Sequence, residues 1–286
     1  MRVYRPITVA ATVAVLAIAA VGTIPATAID IPEDCTIVGT AGPDRLEGTP
    51  GPDIICGLGG NDDIQGYGGA DTIYGGDGAD NIDGGEGNDS IYGGSGTYFP
   101  GGDGADTIFG GAGDDYIQGC LGADVLHGGD GNDTVGACWC GCYDGYAAFE
   151  DILYGDAGDD SLQGSYGNQR LYGGLGKDWV HGGQGNDTVV GGKGHDRLFG
   201  GHGHDQVRGY GGNDKLQGGD GKDRLEGGLG NDTITGGWGA DTLLGGGGRD
   251  LLIAKGGWRD IVKGGAGYDT GTWDWRDKVS GVEKRK

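Results

Sequence analysis

The amino-acid sequence predicts an all-β protein, a parallel β-roll built as a solenoid of short repeats. Glycine accounts for 73 of the 286 residues, which in an unpatterned chain would indicate disorder. Here the glycines recur with a nine-residue period. Each unit also carries Asp at its sixth position and an aliphatic residue at its eighth. The clearest block covers residues 173–253, which begins GGLGKDWVH, GGQGNDTVV, GGKGHDRLF.

Each unit divides into a turn and a strand. Its Gly-rich first half favours a turn, because glycine adopts the positive φ angles that other residues resist. The last three positions predict a strand whose central aliphatic side chain faces inward. Two units then form one coil of eighteen residues, and coils stack about 4.8 Å apart through parallel pairing. The predicted inward row includes Ile64, Ile73, Ile82, Leu198, Val207, Leu216 and Leu225.

The sixth-position aspartates are candidate metal ligands. Alternate units bring their aspartates to the same edge of the roll, where stacked carboxylates repel one another. A hard divalent cation between successive turns removes this repulsion and takes carboxylate and backbone carbonyl oxygens as ligands. A single Asp is equally well explained as an Asx-turn residue, but 23 in register favour metal. One predicted edge carries Asp44, Asp62, Asp80, Asp115, Asp133, Asp151, Asp187, Asp205, Asp223, Asp241 and Asp260. The other carries Asp53, Asp71, Asp89, Asp106, Asp124, Asp160, Asp178, Asp196, Asp214, Asp232, Asp250 and Asp269.

Two stretches interrupt the repeat. The unit at 93–100 is one residue short and carries Tyr98 in place of Asp. Residues 137–154 lack the pattern, but their length of eighteen predicts one whole coil, with Cys142 at an Asp position. Elsewhere Gln169 stands where Asp is expected, and Ala254 adds one residue.

The first 28 residues predict a secretory signal peptide. Arg2 and Arg5 precede an apolar run, and Ala26-Thr27-Ala28 forms a cleavage site before Ile29. The alternative is a membrane anchor, but the run is shorter than the roughly 20 residues that a span needs. No later segment is apolar for long enough to span a bilayer. The chain is therefore expected to be secreted.

The mature chain divides into a cap strand at 29–38, the roll at 39–272 and a C-terminal cap and tail at 273–286. We expect Trp273 and Trp275 to cover the open end of the aliphatic seam, because terminal repeats of solenoids are atypical. A ligand-stacking platform is the alternative for this pair. The basic end, GVEKRK, is expected to be solvated.

All six cysteines follow the predicted cleavage site, which favours disulfides in an exported protein. Cys35 and Cys56 flank the first two units and are expected to pair. The other four cysteines form a cluster, and we expect Cys120 to pair within it, because Cys120 lies one coil before Cys138. A zinc or copper thiolate site is the alternative for that cluster, which consists of Cys120, Cys138, Cys140 and Cys142.

The unit GGxGxDxUx, where U is aliphatic, resembles the repeats-in-toxin family, the hemolysin-type calcium-binding proteins. The resemblance covers almost everything after residue 38. It implies several bound calcium ions, held by the sixth-position Asp and by turn carbonyls of neighbouring coils. The best-known members leave the cell by a C-terminal signal, whereas this chain carries an N-terminal one.

These features predict a non-catalytic calcium-binding protein with a structural or interaction function. The formal charge of −23 argues against nucleic acid and anionic membranes as partners. His195 and His204 fall on opposite edges of the roll and do not converge on a metal. Equivalent aspartates offer no acid–base pair with distinct environments. The alternatives are a polysaccharide-acting lyase or epimerase at the irregular coils, or an adhesin that binds a cell-surface polysaccharide or protein.

Overall fold

The computed structural model describes residues 34–94, 104–137, 149–256 and 258–285, with the backbone alone for Lys284 and Arg285. The chain divides after residue 30, and every described residue belongs to the unit Ile31–Lys286. These ranges form two parallel sheets of 14 and 13 strands. The 14-stranded sheet contains β1 (Ile37–Val38), β3 (Ile54–Gly59), β5 (Thr72–Asp77), β7 (Ser90–Tyr92), β9 (Tyr116–Gln118), β11 (Thr134–Gly136), β13 (Ser161–Gln163), β15 (Trp179–Gln184), β17 (Arg197–His202), β19 (Lys215–Asp220), β21 (Thr233–Trp238), β23 (Leu251–Ala254), β25 (Thr270–Trp273) and β27 (Lys284–Arg285). The 13-stranded sheet contains β2 (Arg45–Glu47), β4 (Asp63–Gln65), β6 (Asn81–Glu86), β8 (Thr107–Ala112), β10 (Val125–Asp130), β12 (Ile152–Ala157), β14 (Arg170–Gly176), β16 (Thr188–Gly194), β18 (Gln206–Gly211), β20 (Arg224–Leu229), β22 (Thr242–Gly248), β24 (Ile261–Gly267) and β26 (Lys278–Ser280).

The chain alternates between the sheets, so odd-numbered strands form one and even-numbered strands the other. Leu198 of β17 pairs with Leu216 of β19, eighteen residues later, which is the predicted coil. The aliphatic residue of each unit faces the space between the sheets, and Leu198, Val207 and Leu225 are fully buried there. The parallel β-roll and its thin aliphatic seam are therefore confirmed.

Many strands are longer than the three residues that the pattern predicts, and run to six or seven residues. In β6 and β8 the pairing continues through the first three turn positions, so that Glu86 pairs with Ala112. These turn positions can pair because successive coils repeat the same backbone conformation. Much of each turn is therefore part of the parallel ladder.

The predicted edges are wrong between residues 93 and 154. Ile82 of β6 pairs with Ile108 of β8, an offset of one coil plus eight residues. Leu126 of β10 pairs with Leu153 of β12, an offset of one coil plus nine. Neither stretch adds the number of half-coils that its length predicts. Among the described residues, the stretch at 93–100 contributes no strand, and residues 137–154 contribute only the first part of β12. After the first offset, each Asp lies on the edge opposite to the predicted one. After the second offset, the predicted edges are correct again.

The correction moves four aspartates. We define the first edge as the turns that precede strands of the 13-stranded sheet, and the second edge as those that precede strands of the 14-stranded sheet. Asp106 and Asp124 precede β8 and β10 and lie on the first edge. Asp115 and Asp133 precede β9 and β11 and lie on the second edge. All other predicted aspartates keep their edges.

The C-terminal segment continues both sheets. Trp273 is half-buried and packs against the aliphatic seam, as expected of a cap. Trp275 does not: its side chain is 83% exposed, and the Arg276 guanidinium lies 4.8 Å from its ring centroid. The backbone of Lys284 pairs with Thr270, so residues 284–285 add a strand to the 14-stranded sheet.

A disulfide joins Cys35 to Cys56, as predicted, with their Cα atoms 6.1 Å apart. Cys120 is also disulfide-bonded. The remaining cysteines (Cys138, Cys140 and Cys142), Tyr98 and the segment 1–33 lie outside the described residues. Within the ranges that the structure describes, no helix is long and apolar enough to cross a membrane.

Candidate metal centre

The predicted ligands form two rows of buried carboxylates. Each Asp ends a turn and directly precedes a strand, which holds its backbone in register with the coils on either side. Of the 23 aspartates, 22 are buried and only Asp44, in the first coil, is half-buried. With the four aspartates reassigned as above, each row lies on one edge of the roll.

One oxygen of each carboxylate has a structural role. The backbone N–H of Asp62 donates to Oδ1 of Asp80 at 2.8 Å. The same bond links Asp205 to Asp223 at 2.9 Å on this edge, and Asp214 to Asp232 at 2.9 Å on the other. Each coil thus holds the next through an Asp side chain, and Oδ1 serves this hydrogen bond.

The second oxygen is buried and unsatisfied in most coils. A buried polar atom without a partner costs about 1–3 kcal/mol, and more when it is charged. Its repetition along both edges indicates a missing ligand and not a local defect. Oδ2 has no hydrogen-bond partner among the described residues in Asp62, Asp71, Asp80, Asp89, Asp115, Asp133, Asp160, Asp178, Asp187, Asp196, Asp205, Asp214, Asp223, Asp232, Asp241, Asp250 and Asp269.

In the units that begin with glycine, Oδ2 of the Asp faces a space that only glycine leaves open. A Cβ built on Gly200 would lie 2.5 Å from Oδ2 of Asp205 and 2.6 Å from the carbonyl oxygen of Gly218, one coil later. The same space at Gly218 is 2.5 Å from Oδ2 of Asp223 and 2.5 Å from the carbonyl oxygen of Gly236. Glycine at the first position therefore brings a carboxylate and a backbone carbonyl from adjacent coils close together.

Burial makes these carboxylates hard to ionise. The pKa of Asp205 is raised to about 6, chiefly by burial and also by the Asp187 carboxylate, although the backbone hydrogen bond from Asp187 opposes the rise. On the second edge burial raises the pKa of Asp160 to about 7, with Asp178 and Asp133 adding to the effect. Without a counter-charge, the rows are electrostatically unfavourable at neutral pH.

The donor set fits calcium. Among the described residues no group of three His, Cys, Asp or Glu side chains converges on one point. A cation on either edge must therefore take backbone carbonyls as well as carboxylates. An all-oxygen set of this mixture suits Ca²⁺, which accepts six to eight oxygen ligands in flexible geometry. In the part of the chain that the structure describes, the two edges offer no comparable site for metals that prefer thiolate or imidazole ligands.

The first two aspartates differ from the rest. Oδ2 of Asp44 accepts hydrogen bonds from the backbone and hydroxyl of Thr40, at 2.5 and 2.9 Å. Oδ2 of Asp53 is held in the same way by Thr49, at 2.7 and 2.9 Å. Threonine at the second position of these units satisfies the oxygen that is left unpaired elsewhere. The unsatisfied Oδ2 atoms therefore begin with Asp62 on the first edge and Asp71 on the second.

At the other end the ladder is continued by residues that the repeat did not predict. The backbone N–H of Asp260 donates to Asp277 Oδ1 at 3.0 Å, and that of Asp269 donates to Glu283 Oε2 at 2.6 Å. Asp277 precedes β26 and Glu283 precedes β27, the positions that the ladder requires. The only sequence signal was an acidic residue directly before each short terminal strand.

Outside each Asp row runs a second ladder, formed by fifth-position side chains, which we did not predict. The Asn186 amide oxygen accepts the backbone N–H of His204 at 2.7 Å, and His204 Nδ1 accepts that of Lys222 at 2.8 Å. On the other edge His195 Nδ1 accepts the N–H of Asn213 at 2.7 Å. The two histidines lie on opposite edges, as predicted, and take the place of asparagine in this ladder.

Stacked turns that bury carboxylates beside backbone carbonyls define a calcium-binding β-solenoid. A family model, the RTX calcium-binding nonapeptide repeat (4 copies), matches residues 38–73, 65–99, 100–135, 148–180, 181–216 and 217–252. The chain belongs to this family, which confirms the resemblance found in its repeats. A search of curated proteins finds no match to the chain. The family implies calcium binding, and the buried Asp rows fit it.

Proposed function

We propose that the chain is an exported, non-catalytic protein whose roll folds when calcium ions bind between successive turns of both edges. The ligands are the sixth-position aspartates together with carbonyl oxygens of the first-position glycines of neighbouring coils. When bound, the ions supply positive charge that neutralises the rows and links each coil to the next. The product of folding is a rigid scaffold with a structural or interaction role.

The repeated unsatisfied oxygen carries this proposal. Oδ2 of Asp205, Asp223 and Asp241 lies buried without a hydrogen-bond donor, one coil apart on one edge. A purely structural Asx-turn uses both its oxygens or exposes one of them to water. Burying one unsatisfied carboxylate oxygen per turn is costly unless a cation occupies the space beside it.

Export would bring the chain from a calcium-poor to a calcium-rich environment. Extracellular calcium modules have dissociation constants of roughly 10⁻⁴–10⁻³ M, so the chain stays unbound inside a cell and binds ions outside it. The signal-peptide features of residues 1–28 support this route. Mass spectrometry of exported protein should find Ile29 as its first residue. Recovery of exported chains that still begin at Met1 would contradict the cleavage.

Calorimetric titration of the purified chain tests the binding itself. Calcium should bind at several sites per chain, and magnesium should replace it poorly, because Mg²⁺ requires near-ideal octahedral geometry and keeps its own waters. Binding should be cooperative, since each ordered coil is a template for its neighbour. Absence of calcium binding at millimolar concentration would refute the proposed function.

A further inference from the structure

Gln169 occupies a ladder position on the first edge. It directly precedes β14, where every neighbouring coil has Asp, and its side chain is 1% exposed. Its backbone N–H donates to Asp187 Oδ1 at 2.9 Å, as an Asp in this place would. The substitution therefore leaves the register of the coils unchanged.

The orientation of the Gln169 carboxamide is determined by its partners. Oε1 accepts the backbone N–H of Ser165 at 2.8 Å, which places the nitrogen on the other side of the group. Nε2 then contacts Asp151 Oδ2 at 3.3 Å, Ser165 Oγ at 3.1 Å and the carbonyl oxygen of Tyr166 at 3.1 Å. Every oxygen around the nitrogen can accept a hydrogen bond from it.

The contact with Asp151 changes the chemistry of the first edge. Oδ2 of Asp187 and of Asp205 has no donor, whereas Oδ2 of Asp151 accepts a hydrogen bond from the coil that follows it. Glutamine is one methylene longer than aspartate, and this length carries its nitrogen towards the preceding coil. A neutral N–H donor thus meets the carboxylate where the other coils leave it unsatisfied.

The substitution also removes a like charge. Gln169 is neutral, so an uncharged group lies between Asp151 and Asp187 on this edge. In an ordinary coil, Asp205 lies between the carboxylates of Asp187 and Asp223. Repulsion between like charges one coil apart is therefore weaker on both sides of Gln169.

From these contacts we infer that Gln169 takes the place of a calcium ion. The Gln169–Asp151 contact, which we term the carboxamide clasp, joins two coils without metal and divides the calcium row of the first edge in two. The inference rests on the proposed function, because a clasp has meaning only where the other coils bind ions. The clasp lies next to an irregular part of the roll, because Asp151 directly precedes β12, which follows the nine-residue insertion after β10.

Calcium stoichiometry of the full chain tests the clasp. Gln169→Asp should bind at least one more calcium ion per chain than the wild type, measured by equilibrium dialysis with radioactive calcium. The control is Gln184→Asp, which adds the same charge at an exposed third turn position, where Asp77 and Asp220 occur naturally. Gln184→Asp should leave the number of bound ions unchanged. An equal number of ions in wild type and Gln169→Asp would overturn the inference.

Hydrogen exchange of the wild type along a calcium titration gives a second measurement that needs no variant. The amide of Arg170 donates to the Asp151 carbonyl across the clasp, and that of Arg224 donates to the Asp205 carbonyl across an ordinary pair of coils. Because the clasp needs no ion, Arg170 should become protected ahead of the cooperative transition of the ion-binding coils, at a calcium concentration severalfold lower than Arg224. Protection of Arg224 first, or of both together in that transition, would contradict the clasp. A wild type that binds no calcium would instead refute the proposed function.

Discussion

The backbone N–H of Asp205 donates to Oδ1 of Asp223 at 2.9 Å, while Oδ2 of Asp223 is buried with no hydrogen-bond partner among the described residues. One carboxylate therefore serves two purposes: one oxygen holds the coils in register and the other is available to a cation. Because the two purposes belong to different atoms, substitutions can separate them.

Replacing Asp205 and Asp223 together by Asn should weaken calcium binding while preserving register. Asn keeps the Oδ1 acceptor but presents an NH₂ group where the cation needs an oxygen. We expect the affinity of the affected sites to fall roughly tenfold per substitution, about 1.4 kcal/mol each. Calorimetric calcium titration measures the change. Asp220→Asn, at an exposed turn position off the ladder, is the control and should bind calcium as the wild type does.

Gly218→Ala should disrupt the roll. The added methyl group would lie 2.5 Å from both Asp223 Oδ2 and the Gly236 carbonyl oxygen, in the space assigned to the cation. Gly211→Ala is the matched control, because its nearest neighbour is the Gly192 carbonyl oxygen at 4.0 Å. Thermal unfolding in calcium should show a loss of about 1–3 kcal/mol for Gly218→Ala and little change for Gly211→Ala. Equal stability of the two variants would contradict the assigned space.

Calcium affinity should rise with pH between about 4 and 7. Burial raises the pKa of Asp205 and Asp223 to about 6, so below that pH protons compete with the ion. For the calcium-free chain the sign is opposite. Because the folded pKa lies above the ordinary value of 3.8 for Asp, the contribution of these groups to stability is fully present below pH 3.8 and lost as pH rises through about 6.

Two titrations check this pair of expectations. Calorimetry at pH 5 and pH 7.5 should give the weaker calcium binding at pH 5. Circular dichroism in chelator should show more β-structure at pH 4 than at pH 7.5. Calcium affinity that does not vary with pH would argue that the buried carboxylates are not the ligands.

The Cys35–Cys56 disulfide should stabilise the N-terminal end of the roll. It closes a loop with a sequence separation of 21, for which chain entropy predicts a contribution of about 3 kcal/mol. In Cys35→Ser/Cys56→Ser, the amides of Asp63 and Thr72 should exchange faster, whereas that of Arg224 should not. Unchanged exchange at Asp63 would show that the first coils are held without the disulfide.

The nine-residue period was sufficient to predict the coil, the aliphatic seam and the identity of the buried aspartates. Leu198 and Leu216 pair as expected because nothing interrupts the repeat between them. Asp106 and Asp115 were placed on the wrong edges because an insertion can loop out of a coil or extend it, and its length does not distinguish the two. Pairing between β6 and β8, a long-range contact, decides this.

The unsatisfied oxygens and the clasp were also beyond the sequence. The pattern shows an Asp in every turn but not that its two oxygens have separate roles, which depends on side-chain rotamer and on the neighbouring coil. Gln169 was read only as a gap in the row. Its hydrogen bond to Asp151 depends on the extra methylene of glutamine and the orientation of its amide.

Far-ultraviolet circular dichroism of the mature chain, in chelator and then in millimolar calcium at pH 7.5, tests the central claim most directly. Without Arg2 and Arg5 the mature chain has a net charge of −25, and together with its 72 glycines and thin core this charge should leave the chelated chain largely unfolded. Calcium should produce a cooperative gain of β-structure, and magnesium at the same concentration should not. A chelated chain already rich in β-structure, with no spectral change on adding calcium, would contradict the account.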